Sequence, residues 1–398
     1  MRTPVVVVAG QEGTEAIAHA MLGTPGSLVV RHHFTGHVVL RTVVSRQNGL
    51  LTSADVALEL IHGCVSCTIR DDLLLLLRRL HRRDDVRRVV VHLAPWLEPE
   101  PICWDINHVR VQMGPGYVDG PAALDVSIAA VVTCIDSSVW LRQALSDAEL
   151  DDGRTEAQVV VGQAEFADVA VLAPADPVVK SVVRRLAPRA RIGVESADIE
   201  QLLAEVRPDA RQGRSDDPHG PLLAGQPSLE AQGAVKLLEF AAQRPFHPQR
   251  LEAAVDVLLD GVIRSRGRLW LASQPQQAMW LESAGGGLHV SSAGKWLAVM
   301  TEAELAATDA ERRAFGQLRW HGAHGDRHTA MTVLTYGTNT DEIIGALHGA
   351  LLSDAELRCP QEWAHYHDPF GDWHKQTCDL PVEATTDTPA HHNDTSDR

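Results

Sequence analysis

No stretch of this 398-residue sequence approaches the roughly 18 consecutive apolar residues that a membrane-spanning helix requires. The N-terminal run Val5–Val8 is too short even for the apolar part of a secretory signal, and the polar segment "QEGTE" follows it at once. Cysteine is scarce: six residues in no dense framework, which excludes a disulfide-stapled scaffold and suits a reducing cytosol. Positive charge is in the minority, 36 Lys and Arg against 52 Asp and Glu. The resulting net charge of −16 works against general affinity for nucleic acid or anionic membrane. A cytoplasmic protein with neither a membrane nor DNA as partner is expected.

What is present is the composition of a folded chain, 44% apolar and 22% charged, with enough length for two full cores. Val5–Val8, Val86–Leu93, Ile128–Asp136 and Ala167–Pro174 are β-branched runs of the kind buried on both faces, separated by helical patterns. Between Asp71 and His81, Leu73, Leu76, Leu77 and Leu80 follow helical spacing. The first half is therefore an α/β domain (residues 1–206) with a mostly parallel P-loop-type sheet and helices on both faces. A Pro-, Gly- and charge-rich linker is expected over residues 207–233, then a smaller α+β domain over 234–380. That domain takes the helix "PQRLEAAVDVLLDGV", the strands "GRLWLAS", "AMWLES", "GLHVSSAG" and "HTAMTVLTYG", and a last helix, "TDEIIGALHGALLSDAEL". Residues 381–398 are polar, acidic and aperiodic, and a disordered tail is expected there.

Two stretches carry candidate chemistry. "VVVVAGQEGTEAIAHAML" is a strand, a glycine-bearing turn and a helix start, in which Gly10 and Gly13 would let backbone N–H groups approach phosphate. A working P-loop, G-x-x-x-x-G-K-[ST], needs a lysine for the phosphate charge and a hydroxyl for Mg²⁺. Counting from Gly10, Glu15, Ala16 and Ile17 stand at the second glycine, lysine and hydroxyl positions, and Glu12 and Glu15 repel phosphate. The other stretch is "ELIHGCVSCTIRDDL". Cys64 and Cys67, with His62 near, are candidate zinc ligands that need further donors, from His92 or Cys103. The same C-x-x-C at a helix start also suits a redox-active thiol pair, or a turn of purely structural use.

"ELIHGCVSCTIRDDL" resembles the signature of the CobW-like P-loop GTPases, where G-C-x-C-C and a T-x-R-x-D-L helix start follow the first βα unit. "RPFHPQRLEAAVDVLLDGVIRSRGRLWLAS", "WLESAGG", "AGKW", "GDRHTAMTV" and "ALLSDAEL" are similar to the CobW-type C-terminal domain, so the likeness spans nearly the whole chain except linker and tail. The resemblance implies GTP and zinc as ligands. It also exposes departures: Ala16 for the lysine, His92 for an acidic residue, Ser66 for the middle cysteine. The guanine-reading N-K-x-D becomes "APAD", which keeps Asp176 but has Ala173 and Pro174 for Asn and Lys. "GCVSCTIRDD", "WLEPEPICW" and the length resemble the branch of the family that recruits ribosome hibernation factors. That branch implies an adapter bringing a hibernation-promoting factor to the small ribosomal subunit when zinc is scarce; the alternative is a GTP-dependent zinc metallochaperone.

"RRLHRRDDVRR" fits the adapter: Arg78, Arg79, Arg82, Arg83, Arg87 and Arg88 are candidate contacts to RNA phosphate. They equally complement a helix C-terminus, and Asp84 and Asp85 dilute them. Histidines gather at His321, His324 and His328, and at His365, His367 and His374 between Cys359 and Cys378, as loop residues or a weak zinc site. Trp270, Trp280 and Trp296 are expected in the core.

Overall fold

Alternation along the valine runs dictates the first domain. Val5, Val7, Val89 and Val91 pack on one face of a sheet, beneath Leu73, Leu77 and Ile106, while Val6, Val8 and Val90 meet Ile17, Met21 and Ile199 on the other. The computed structural model describes residues 1–47 and 49–371. The elements run β1 (Thr3–Gly10), α1 (Thr14–Met21), β2 (Ser27–Phe34), β3 (Val39–Gln47), β4 (Leu50–Leu58), α2 (Val65–His81), β5 (Arg88–His92) and α3 (Pro99–His108). A short ladder of β6 (Arg110–Val111) and β7 (Gly120–Pro121) follows, then β8 (Val126–Asp136), α4 (Trp140–Ala144), α5 (Glu156–Glu165), β9 (Val169–Ala173), α6 (Pro177–Leu186), β10 (Arg191–Gly193) and α7 (Ile199–Ala204). The eight-stranded sheet has the order β10-β9-β8-β1-β5-β2-β3-β4, parallel except for the pairs β2–β3 and β3–β4.

The second domain comprises β11 (Val235–Ala242), α8 (Pro248–Ala253), β12 (Val262–Leu269), β13 (Gln277–Ala284), β14 (Gly287–Lys295), α9 (Glu302–Ala307), α10 (Ala310–Leu318), β15 (Thr329–Tyr336), α11 (Thr340–Ala350) and α12 (Asp354–Leu357). Its five strands form an antiparallel sheet ordered β11-β15-β12-β13-β14. One face packs on Leu251, Ile343 and Leu347. The other shares a core with the first domain, where Ile263, Ala284 and Leu334 meet Val160, Val179 and Val183.

The α/β domain followed by a smaller α+β domain is therefore the architecture the sequence implies. The Pro/Gly-rich segment 207–233 forms no regular element, yet it lies on both domains, Arg268 of β12 donating to Pro218 O and Gly220 O. The Asp168 carboxylate accepts from Gln212 N, and Gly213 O accepts from Asn107 Nδ2. The expected tail 381–398 lies outside the described residues, as do His374 and Cys378 of the second histidine group. Trp270 and Trp296 are in the core as expected, 1% and 0% exposed, whereas Trp280 is half-buried and donates to Glu282.

Candidate functional site

The glycine loop keeps the backbone form of a phosphate cradle. Gly10 has φ +133°, and a Cβ there would lie 2.3 Å from the Cys134 carbonyl oxygen, so only glycine lets β1 approach β8 this closely. Gly13, φ +79°, is the N-cap of α1 and offers no side chain as cap. The side chains around this loop do not complete a nucleotide site. Ile17 is 1% exposed, driven into the core where a Mg²⁺-binding hydroxyl would stand. Glu15 instead extends its carboxylate to Arg31 of β2, and Arg31 Nε donates to His92 Nδ1 at 3.1 Å. Burial, then Arg31, pushes His92 down to about 4, so a neutral imidazole stands where the family carries an acid. Gln11 ties the loop down further through Pro95 O and Gln163 Oε1.

The chain thus places its own carboxylate beside its own cation at the C-terminal ends of parallel strands, the edge where open α/β sheets bind ligands. Asp176 is likewise engaged: its Oδ1 accepts from Val178 N and Val179 N as the N-cap of α6. Gly10, Gly13 and Asp176 are accounted for by backbone approach and capping, and the lysine and hydroxyl that a P-loop offers to Mg²⁺–GTP are here Ala16 and Ile17. Sequence had marked Glu15 and His92 as departures but missed Arg31, which lies in a strand with no motif and joins them only through the fold.

The thiol hook is well formed. Ile61 to Cys64 close a tight turn through His62 (φ +50°) and Gly63 (φ +72°), with Cys64 N donating to Ile61 O at 2.9 Å. The Thr68 hydroxyl fastens it, donating to Cys64 O at 2.8 Å and accepting from Ile61 N at 2.9 Å. Cys64 is the N-cap of the 17-residue α2, its sulfur accepting from Cys67 N at 3.2 Å. Cys64 and Cys67 are joined as a disulfide, with Cα atoms 5.4 Å apart, and both are half-exposed. When the pair is reduced, the helix dipole and that N–H favour the thiolate.

The remaining proposed ligands are not gathered here. Cys103 is fully buried and its thiol is pushed up by burial. His92 faces Arg31, and His62 is exposed on the turn. Among the described residues no three His, Cys, Asp or Glu side chains are placed to hold one metal ion. The structure therefore brings Cys64 and Cys67 together and leaves out His62. The histidine groups do not assemble either. His321 and His324 stack with ring centres 5.1 Å apart, His328 is buried against Arg268, and His365 and His367 are exposed.

The six arginines do not form the continuous patch that the sequence suggests, because most have internal partners. Arg78 is 1% exposed and donates to Asp125 Oδ2 at 2.7 Å. Arg82 bonds Gly116 O and covers the Tyr117 ring at 3.6 Å. Arg83 forks onto Asp85, and Arg88 onto Glu200. Arg79 and Arg87 are exposed.

Comparison with known proteins places these features in a lineage. Residues 40–199 match the CobW/HypB/UreG nucleotide-binding domain, and residues 235–351 the cobalamin synthesis protein CobW C-terminal domain. The first match begins beyond the glycine loop. A zinc chaperone of Mycobacterium tuberculosis is 60% identical over 393 residues, 99% of this chain and 99% of its own. A zinc-regulated GTPase metalloprotein activator of Dictyostelium discoideum is 24% identical, over 82% of this chain and 73% of its own length. No described helix is long and apolar enough to cross a membrane.

Proposed function

The chain belongs to the CobW family of P-loop GTPases, and on that footing we propose that it is a zinc carrier that works without turning over GTP itself. The observation that carries this reading is the Cys64–Cys67 hook, two sulfurs held together and half-exposed at a helix start. Zinc in proteins is usually four-coordinate. A site that contributes two thiolates leaves the other positions to a donor or an acceptor, which suits handing the ion on rather than storing it. Loading requires the disulfide to take up two electrons and two protons from an external dithiol, and zinc then displaces the thiol protons. The relatives' names support zinc as cargo.

The family's nucleotide is a separate matter. With Glu15, Ala16 and Ile17 in the P-loop and Asp176 engaged as a cap, calorimetry with Mg²⁺–GTP is expected to give no binding heat. Tight binding with turnover would replace this reading with a GTP-driven metallochaperone. An adapter bringing a hibernation-promoting factor to the small ribosomal subunit has less support, since four of its six proposed RNA contacts are engaged internally. If the adapter role operates, Arg79→Glu with Arg87→Glu should abolish co-sedimentation with small subunits, and unchanged sedimentation would remove the stretch from consideration.

A further inference from the structure

A narrow cleft in the second domain is lined by Arg268, Trp296, Arg312, Phe315 and Arg319, with His219 from the 207–233 segment at its side. Three N–H donors on its lining residues have no partner among the described residues: Arg268 Nη2, Trp296 Nε1 and Arg312 Nε. Arg268 is 1% and Trp296 0% exposed. A buried donor left unsatisfied costs about 1–3 kcal/mol, more when it is charged, so three around one cleft call for an acceptor. The rest of Arg268 is committed. Nε donates to His328 Nε2 at 3.2 Å, and Nη1 to Pro218 O and Gly220 O at 2.6 and 2.7 Å.

Charge points the same way. His328 donates from Nδ1 to Asp326 O while its Nε2 accepts from Arg268, which makes it neutral, and burial holds its imidazolium down at about 4. The Asp326 carboxylate faces backbone, accepting from Leu297 N and Ala298 N at 2.9 Å. Asp217 takes His219 N. Three guanidiniums against two carboxylates leave one positive charge in excess beside a buried arginine. The cleft has room for about one water-sized particle, too little for phosphate or sulfate.

We propose that this cleft binds one small monatomic anion, a chloride, on Arg268, Trp296 and Arg312. Because Arg268 also holds Pro218 and Gly220, the anion would fasten the 207–233 segment to the second domain. The full-length protein is tested at constant ionic strength by exchanging sodium gluconate, whose anion is too large, for sodium chloride. The expected result is a saturable rise in melting temperature with chloride, and a broadened chloride-35 NMR line that gluconate does not narrow. Arg268→Met should abolish both. Trp296→Phe and Arg312→Gln, which each remove one of the proposed donors, should each weaken the anion by about tenfold, the loss of one interaction with a charged group. Equal melting temperatures in chloride and gluconate with no line broadening would overturn the proposal. A full chloride response in both Trp296→Phe and Arg312→Gln would do the same.

Discussion

Replacing Cys64 and Cys67 together with serine is expected to weaken Zn²⁺ binding by the reduced protein at least about 100-fold, since both thiolate donors are lost. Competition against a chromophoric chelator measures this directly. The fold should survive, which separates metal from folding. Cys64 caps α2 through its sulfur, and serine is a preferred N-cap. Thr68 continues to fasten the turn. Oxidised wild-type protein should behave like the double variant, because a disulfide has no thiolate to offer. The buried Cys103 and Cys134 cannot compensate, as burial pushes both thiols up, Cys134 to about 12.

Glu165→Ala is expected to destabilise the protein by about 3–5 kcal/mol, the usual effect of removing one member of a buried ion cluster. Glu165 closes α5 in the first domain and accepts from Arg264 and Arg266 of β12 at 2.8 Å, with side chains 9% and 16% exposed. Its loss leaves the Arg264 and Arg266 guanidiniums, neighbours on one face of β12, with only the longer contacts to Glu282 at 3.4 Å and Asp216 at 3.2 Å. Burial alone would raise the Glu165 carboxyl, but Arg264, Arg266 and Arg211 overcome it and hold it at about 2, against 4.5 ordinarily. A carboxyl depressed in the folded state stabilises fully above its unfolded value. The contribution, about 3 kcal/mol, disappears as pH falls from about 4.5 to about 2. Urea unfolding at pH 7 and pH 3 should therefore show a gap between wild type and Glu165→Ala that narrows in acid. A gap that is the same at both pH values would mean the cluster carries no such linkage.

The parts of this molecule most legible in sequence were those whose burial writes a pattern. Val5–Val8 and Ile128–Asp136 are covered on both faces and stand out as apolar runs. β3 and β4 did not, because every residue of β4 but Leu58 is exposed and no core face imposes alternation on it. The 207–233 segment has a linker's composition, while its anchoring depends on Asp168, Asn107 and Arg268, all remote in sequence. Arg78 looked like surface charge for the same reason: its partner, Asp125, lies 47 residues away. The thiol pair was visible from its spacing, and the loss of P-loop chemistry from Glu15, Ala16 and Ile17. What replaced that chemistry, the Glu15–Arg31–His92 chain, required the fold to bring β2 beside β5.

The central claim, zinc on two thiols with no nucleotide cycle, is tested most directly by native mass spectrometry of the reduced full-length protein with Zn²⁺ and Mg²⁺–GTP both present. The account predicts one zinc per chain, absent from the Cys64→Ser/Cys67→Ser variant, and no bound nucleotide. Zinc retained by that variant, or zinc binding that appears only together with GTP, would contradict it.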